Sequence, residues 1–378
     1  MSPGRPNLPW VPQGFVPPPY PYDRLDALRE VADRLPGGCV DLSIGTPCDP
    51  APPAVVAALS GSDAERGYPP SVGTPALRTA ITGWLDRRFG VEVEPAHVAA
   101  CVGTKELVAG VPQWLKLRTP DRDTVLYPEI SYPTYAMGAT LAQCRSVPYG
   151  SLDDIDPADA ARALCLWVNS PANPTGELAD LPAAAAWGRE RGVPVFSDEC
   201  YIEFTWDGPG RTILSEGVAG VVALHSLSKR SNLAGVRVGF YAGDPDLVHY
   251  LSEVRKHAGF MVPGPAQAAA VVALGDDQHV DEQRERYLRR MKTMAAALRT
   301  IGVDCDLPAG AFYLWAPAPG PDRDAWRLAA DLAERGGALV APGDLYGPAG
   351  AGFVRIAVVQ PDDRLDLVAD RLAAAAPS

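Results

Sequence analysis

The sequence predicts an α/β protein: a mainly parallel mixed sheet with both faces covered by helices, followed by a smaller α+β unit. Three observations carry this. Short apolar runs alternate with longer amphipathic stretches from about residue 40 to 245. Helical periodicity dominates beyond that point, broken by three strand-like pieces. A chain of 378 residues that is 47% hydrophobic can also bury a large core.

The first 22 residues are proline-rich, which favours an extended arm over a packed element. Such an arm is expected to drape over a surface, such as that of a partner subunit. Strands are predicted at His97–Val102, Thr124–Tyr127, Arg145–Pro148, Leu164–Val168, Val193–Ser197, Val221–His225 and Val236–Tyr241. Helices Lys105–Leu117, Thr134–Leu141 and Leu181–Arg191 fall between several of them. Further on, Pro245–His257, Pro265–Leu274, His279–Thr300, Ala325–Arg335 and Asp363–Ala374 read as helices, with strands at Phe312–Trp315, Ala338–Val340 and Val354–Val359. The implied division is an arm over 1–40 that joins the smaller unit, a large unit over 41–264 and the small unit over 265–378. No internal repeat is evident.

Composition excludes several classes. Lys and Arg number 34 against 46 Asp and Glu, a formal charge of −12, so a nucleic-acid partner is not expected. The seven cysteines have no CxxC spacing and the five histidines no metal-ligand spacing, so neither a disulfide framework nor a metal site is expected. No signal peptide and no membrane span is readable, and a soluble cytoplasmic protein is the expectation.

Four segments concentrate polar residues where predicted strands end. His225-Ser226-Leu227-Ser228-Lys229 runs on to Arg237 and combines a lysine with hydroxyls and an arginine able to hold an anion. Alone it also describes a solvated loop. Ser197-Asp198-Glu199-Cys200-Tyr201 puts Asp198 at the C-terminal edge of a buried strand, where open α/β sheets place ligands, although a helix-capping aspartate looks the same. Asn169-Ser170-Pro171-Ala172-Asn173-Pro174-Thr175-Gly176 is a rigid turn at that edge or merely a turn. Gly103-Thr104-Lys105-Glu106 opens a helix, either as a phosphate cradle or as an ordinary cap.

Taken together, in this order and spacing, the four segments resemble those of fold-type-I pyridoxal-phosphate enzymes, and the chain resembles the class I/II aminotransferases along essentially its whole length. Leu42-Ser43-Ile44-Gly45-Thr46-Pro47, Gly103-Thr104-Lys105-Glu106, His225-Ser226-Leu227-Ser228-Lys229 through Leu233-Ala234, Val254-Arg255-Lys256-His257 and Val340-Ala341-Pro342-Gly343-Asp344 look like N-succinyldiaminopimelate aminotransferases, which serve lysine and diaminopimelate biosynthesis. The resemblance implies a homodimer using pyridoxal 5'-phosphate. Lys229 would carry the cofactor covalently and later move the substrate proton. Asp198 would keep the ring nitrogen protonated. Asn173 and Tyr201 would hydrogen-bond the phenolic oxygen, and Tyr132 would stack on the ring. Gly103, Thr104, Ser226, Ser228 and Arg237, with Lys105, would cradle the phosphate, and Tyr68 would reach the phosphate of the other subunit. Arg355 would clamp the substrate carboxylate, with Gly45 and Asn173 beside it. Many relatives carry an aromatic residue where this chain has Val236, a neighbour expected to pack behind the cofactor.

The reaction so implied is ping-pong transamination from glutamate to N-succinyl-2-amino-6-oxopimelate. The same residues would also support another acceptor, or an elimination, decarboxylation or cyclisation in specialised metabolism. A cofactor-binding transcriptional sensor would need an added DNA-binding unit, for which there is no room before residue 40, and a basic surface.

Overall fold

The computed structural model describes residues 14–61, 64 and 66–375. The first thirteen residues of the expected arm lie outside the described ones. Residues 14–20 have no regular structure and are exposed, and a 3₁₀ turn follows at Pro21–Leu25.

Twelve strands occur among the described residues: β1 Val40–Asp41, β2 Val98–Cys101, β3 Thr124–Pro128, β4 Arg145–Tyr149, β5 Ala163–Asn169, β6 Val195–Asp198, β7 Val221–Ser226, β8 Gly239–Gly243, β9 Tyr313–Pro317, β10 Ala338–Leu339, β11 Ala341–Pro342 and β12 Phe353–Ala357. The main sheet has the order β2-β8-β7-β6-β5-β3-β4. Only β8 runs against the rest, pairing antiparallel with β2 and β7. The pairs from β7 through β6, β5 and β3 to β4 are parallel.

Alternation along the central strands divides the core in two. Leu166, Val168, Val195 and Ala223 face one cluster together with the helices Pro75–Phe89 and Leu181–Arg191. Cys165, Trp167, Phe196 and Leu224 face the other, with the helices Thr104–Arg118, Thr134–Leu141 and Pro245–His257. Burial on both faces explains why β5, β6 and β7 read as continuous apolar runs in the sequence.

The second body holds an antiparallel sheet β11-β12-β9 and the parallel pair β1-β10. The helices Gln278–Thr300 and Asp362–Ala374 pack on its core.

Several boundaries differ from the sequence reading. Helix Gly264–Gly275 was grouped with the small unit, yet Ala266, Ala269, Ala270 and Leu274 bury in the first core of the main sheet. Its small side chains allow close packing there, a property no periodicity reports. Leu42, expected in the large unit, instead belongs to the second core beside Val40 of the arm, because β1 pairs with β10. The strand expected at Ala338–Val340 ends at Leu339 as β10, and beyond Val340 the chain enters a different sheet as β11. The helix expected to end at Arg335 turns into a π-turn at Leu332–Gly336, closed by Gly337 at φ +65°. Helices Asp26–Ala32, Pro53–Ser60 and Pro75–Phe89 have no counterpart in the sequence reading. The strand expected from Val236 starts at Gly239, because Ala234–Val236 forms a 3₁₀ turn and Arg237 takes a left-handed conformation, φ +59°.

Candidate active site

The C-terminal ends of β5, β6 and β7 point to one edge of the sheet. The antiparallel β8 starts at that same edge, since Gly239 pairs with Ser226. Topology alone therefore gathers Asn169, Asp198, Ser226 and Arg237. They line a cavity of about 330 Å³ together with Gly45, Thr104, Lys105, Tyr132, Asn173, Tyr201, Ser228, Lys229 and Arg355. Of the residues expected from the sequence, Gly103 stands just behind this lining and Tyr68 lies away from it, with 99% of its surface exposed.

One end of the cavity is suited to an anion. Helix Thr104–Arg118 starts there, with Gly103 at φ +72° as its cap. A Cβ at Gly103 would lie 2.3 Å from Arg237 Nη2, so the left-handed turn and the close guanidinium both require glycine. The Arg237 Nη1 donates to the Ala234 carbonyl at 2.8 Å, and no carboxylate of the described residues pairs with it. Ser226 Oγ accepts from the Ser228 amide at 3.2 Å, which sets the turn that presents Lys229. Behind the cradle, Glu106 accepts from the Val102 amide at 2.9 Å and from the buried Arg255 at 2.7 Å.

At the floor, Asp198 is buried. Its Oδ2 accepts from Tyr135 Oη at 3.0 Å and its Oδ1 from the Cys200 amide at 3.3 Å. Burial raises its pKa from the ordinary carboxylate value, and hydrogen bonds from Cys200 and Tyr135 only partly oppose this. A cation beside it would restore the ionised form. Asn169 braces the same corner, donating to the Asp198 carbonyl at 2.7 Å and accepting from the Asn173 amide at 2.7 Å.

The Lys229 amine donates to the Gly45 carbonyl. Burial brings its pKa down to about 8, and the positive charges of Arg355 and Arg237 act in the same direction. Its neighbour Arg230 is anchored by Glu203 at 3.0 Å, and Glu203 also accepts from Trp84 at 2.8 Å and Arg88 at 2.9 Å. The lysine therefore projects from a turn fixed by a buried ionic cluster.

The wall is formed by Arg355 of β12. It is buried, its Nη1 donates to Asn173 Oδ1 at 2.7 Å, and its Nη2 donates to the Ser43 carbonyl and to Tyr22 Oη at 3.3 Å. The guanidinium lies 4.3 Å from the Tyr313 ring centroid and 4.8 Å from that of Tyr346. Its Nε has no partner, and among the described residues no carboxylate pairs with it. A buried arginine without an acid is suited to receive a carboxylate ligand.

Some contacts differ from those expected. Asn173 spends its side-chain oxygen on Arg355, and the Tyr201 hydroxyl meets the Tyr313 hydroxyl at 2.7 Å. Lys105 places its ammonium 5.1 Å from the Tyr20 ring and 6.0 Å from the Tyr132 ring, beneath the exposed end of the arm. Gly45 is required by Tyr313, whose hydroxyl would lie 2.2 Å from a Cβ there. Sequence reasoning misses Tyr20, Tyr22, Tyr313 and Tyr346 as site residues; nothing in their local pattern distinguishes them from core or arm aromatics. Asn169 and Cys200 lie within the polar segments at the strand ends but carry no assigned role there.

A phosphate-sized cradle, a desolvated amine and a buried acid at the strand ends of a doubly covered sheet define a pyridoxal-phosphate enzyme of fold type I. The chain belongs to the aminotransferase class I and II family, whose model matches residues 38–372. It is therefore an aminotransferase, and its cofactor is pyridoxal phosphate. Over 363 residues it is 43% identical to the 4-dedimethylamino-4-oxo-anhydrotetracycline transaminase OxyQ of Streptomyces rimosus, covering 94% of this chain and 99% of that one. It is 44% identical to a probable aminotransferase of Mycobacterium tuberculosis, covering 94% and 85%. Among solved structures, a probable N-succinyldiaminopimelate aminotransferase from Thermus thermophilus superposes with a TM-score of 0.84 at 31% identity, covering 94% and 99%.

The residues present fit the cofactor. Arg237 and Thr104 offer an anion site free of acidic partners, and Asp198 is a buried carboxylate in need of a cation.

Proposed function

We propose that this enzyme transfers an amino group from glutamate to a keto acid with a second, remote carboxylate, N-succinyl-2-amino-6-oxopimelate being the acceptor the sequence resemblance favours. The observation that carries this is the pairing of two cationic sites on one cavity: Arg355, buried and without an acid, and Lys105, exposed at the rim beside the rings of Tyr20 and Tyr132. Glutamate and that acceptor both carry one carboxylate beside the reacting carbon, with one farther away in glutamate and two in that acceptor, at the other pimelate end and on the succinyl group. Arg355 takes the first and Lys105 faces a farther one.

When bound, pyridoxal phosphate supplies the electron sink that makes loss of the Cα proton possible. Lys229 would hold the cofactor, and its free amine would serve as the base at Cα; its pKa near 8 leaves a useful fraction neutral at physiological pH. Asp198 holds the proton on the ring nitrogen by pairing with it. Thr104, Ser226, Ser228 and Arg237 hold the phosphate against the helix start. Tyr132, which lines the cavity, would pack on the ring. Arg355, braced by Asn173 and Tyr22, orients the substrate so that its Cα proton faces the amine. The fully exposed Tyr68 serves the phosphate of a second copy, making the working unit a homodimer. The arm with the residues after 265 acts as a closing unit over the body formed by 41–264, apart from the boundary exchanges described above.

A second reading keeps all of this chemistry but gives the enzyme a bulky ketone acceptor in specialised metabolism. The 43% identity to OxyQ favours it. The two part in a panel of keto acids and cyclic ketones offered with glutamate, with products followed by mass spectrometry. Amination of the succinylated keto acid supports the first reading. Its failure beside turnover of a carboxylate-free ketone overturns it.

A further inference from the structure

The hydroxyls of Tyr201 and Tyr313 both line the cavity and lie 2.7 Å apart, and either could donate. Burial keeps both protonated, pushing Tyr313 up to about 12 and Tyr201 well above its ordinary value. Each hydroxyl has one proton to give. Whichever hydroxyl donates to the other leaves its partner's proton free for the cavity, so the pair has two possible senses. If Tyr313 donates, its proton is satisfied and the Tyr201 proton is free to turn inward. The guanidinium of Arg355, 4.3 Å from the Tyr313 ring centroid, favours this sense by making that hydroxyl the better donor. Gly45 reinforces the register, since any larger residue would displace the Tyr313 oxygen.

We infer that Tyr313 is a positioning residue that fixes the Tyr201 hydroxyl as a donor toward the cofactor's phenolic oxygen and strengthens it by a two-member hydrogen-bond chain. This rests on the reading of Tyr201 given above. It ties cofactor electronics to a residue of β9, in the body that carries the substrate-binding arginine, and it makes the tyrosine hydroxyl a tuning element independent of Asp198.

The test is the pH midpoint of the absorbance change of the Lys229-bound cofactor in the holoenzyme. A donor to the phenolic oxygen favours the state in which the linking nitrogen has lost its proton, so it lowers the midpoint. Tyr201→Phe should raise the midpoint by about one unit or more. Tyr313→Phe should raise it by roughly 0.3 to 1 unit. In the double variant, Tyr313→Phe should add nothing to Tyr201→Phe. The phenylalanine keeps the ring that packs on Phe312 and under Arg355, and an unchanged circular dichroism spectrum checks the fold. A Tyr313→Phe midpoint equal to wild type, or a shift that adds in full to that of Tyr201→Phe, overturns the inference while leaving the Tyr201 reading intact. An unmoved midpoint in Tyr201→Phe removes the reading of Tyr201 and the inference with it.

Discussion

At the sheet edge, the polar groups that face the cavity lie at or within a few residues of a strand terminus. Asp198 ends β6, Ser226 ends β7 with Lys229 just beyond, Asn173 follows β5, and Arg237 precedes β8. Around Arg355 the arrangement is different. Its partners come from Tyr22, Ser43, Asn173, Tyr313 and Tyr346, drawn from the arm, strand β9 and separate loops and turns. The first region is set by sheet topology and is tolerant of change elsewhere. The second exists only when distant segments dock, so its geometry can drift between relatives that keep the same cofactor chemistry. A family can then change substrates without rebuilding its reactive centre.

The contrast can be broken most directly at Lys229. Lys229→Ala should abolish steady-state transamination with the circular dichroism spectrum preserved, and borohydride should no longer fix a phosphopyridoxyl group to that position. Retained turnover would remove the lysine from the chemistry. Asp198→Ala should cost roughly 10²–10³-fold in kcat, as loss of a preorganised charge partner does, and a rate near wild type would end its pairing with the ring nitrogen. On the docked side, Arg355→Ala should lower kcat/KM for glutamate by about 2–5 kcal/mol, the cost of unmaking a buried charge-assisted pair, while the cofactor spectrum stays in place. Loss of cofactor instead would show that the two regions are not separable. Lys105→Met should raise KM for glutamate roughly tenfold, near 1.4 kcal/mol, and leave a monocarboxylic donor such as alanine unchanged. Equal losses for both donors would return Lys105 to the phosphate.

The smallest effect concerns pH. The folded protein holds Lys229 near 8 while the unfolded chain titrates it near 10.5. Between these values the folded form carries fewer protons. Cofactor-free protein should therefore gain stability as pH rises through that window, and Lys229→Ala should lack this gain. Capture of pyridoxal phosphate by the cofactor-free protein should likewise rise with pH to half its plateau near 8. A midpoint at the ordinary lysine value would show that burial does not act on this amine.

How much of this could be read in advance follows the same division. The central strands were legible because burial on both faces leaves unbroken apolar runs, and the site residues at their ends were legible because short polar segments follow directly. Helix Pro75–Phe89 was not, although Thr74 caps it at 3.2 Å and Gly90 ends it at φ +66°; a glycine and β-branched residues inside it blur its period. Helix Gly264–Gly275 was found but misplaced, since periodicity tells which face is buried and not against what. Arg355 came from resemblance alone, and the tyrosines around it from nothing in the sequence, because their meeting depends on the docking of the arm and β9 onto β12.

The unpaired guanidinium of β12 has one more consequence. If Arg355 takes the carboxylate of donor and acceptor alike, as proposed, two different molecules would occupy this pocket in turn, held by the same fork. The Lys229 amine that removes a hydrogen from the donor would then return one to the acceptor from that identical direction. Handedness would be copied from the incoming amino acid to the outgoing one without a second stereochemical checkpoint.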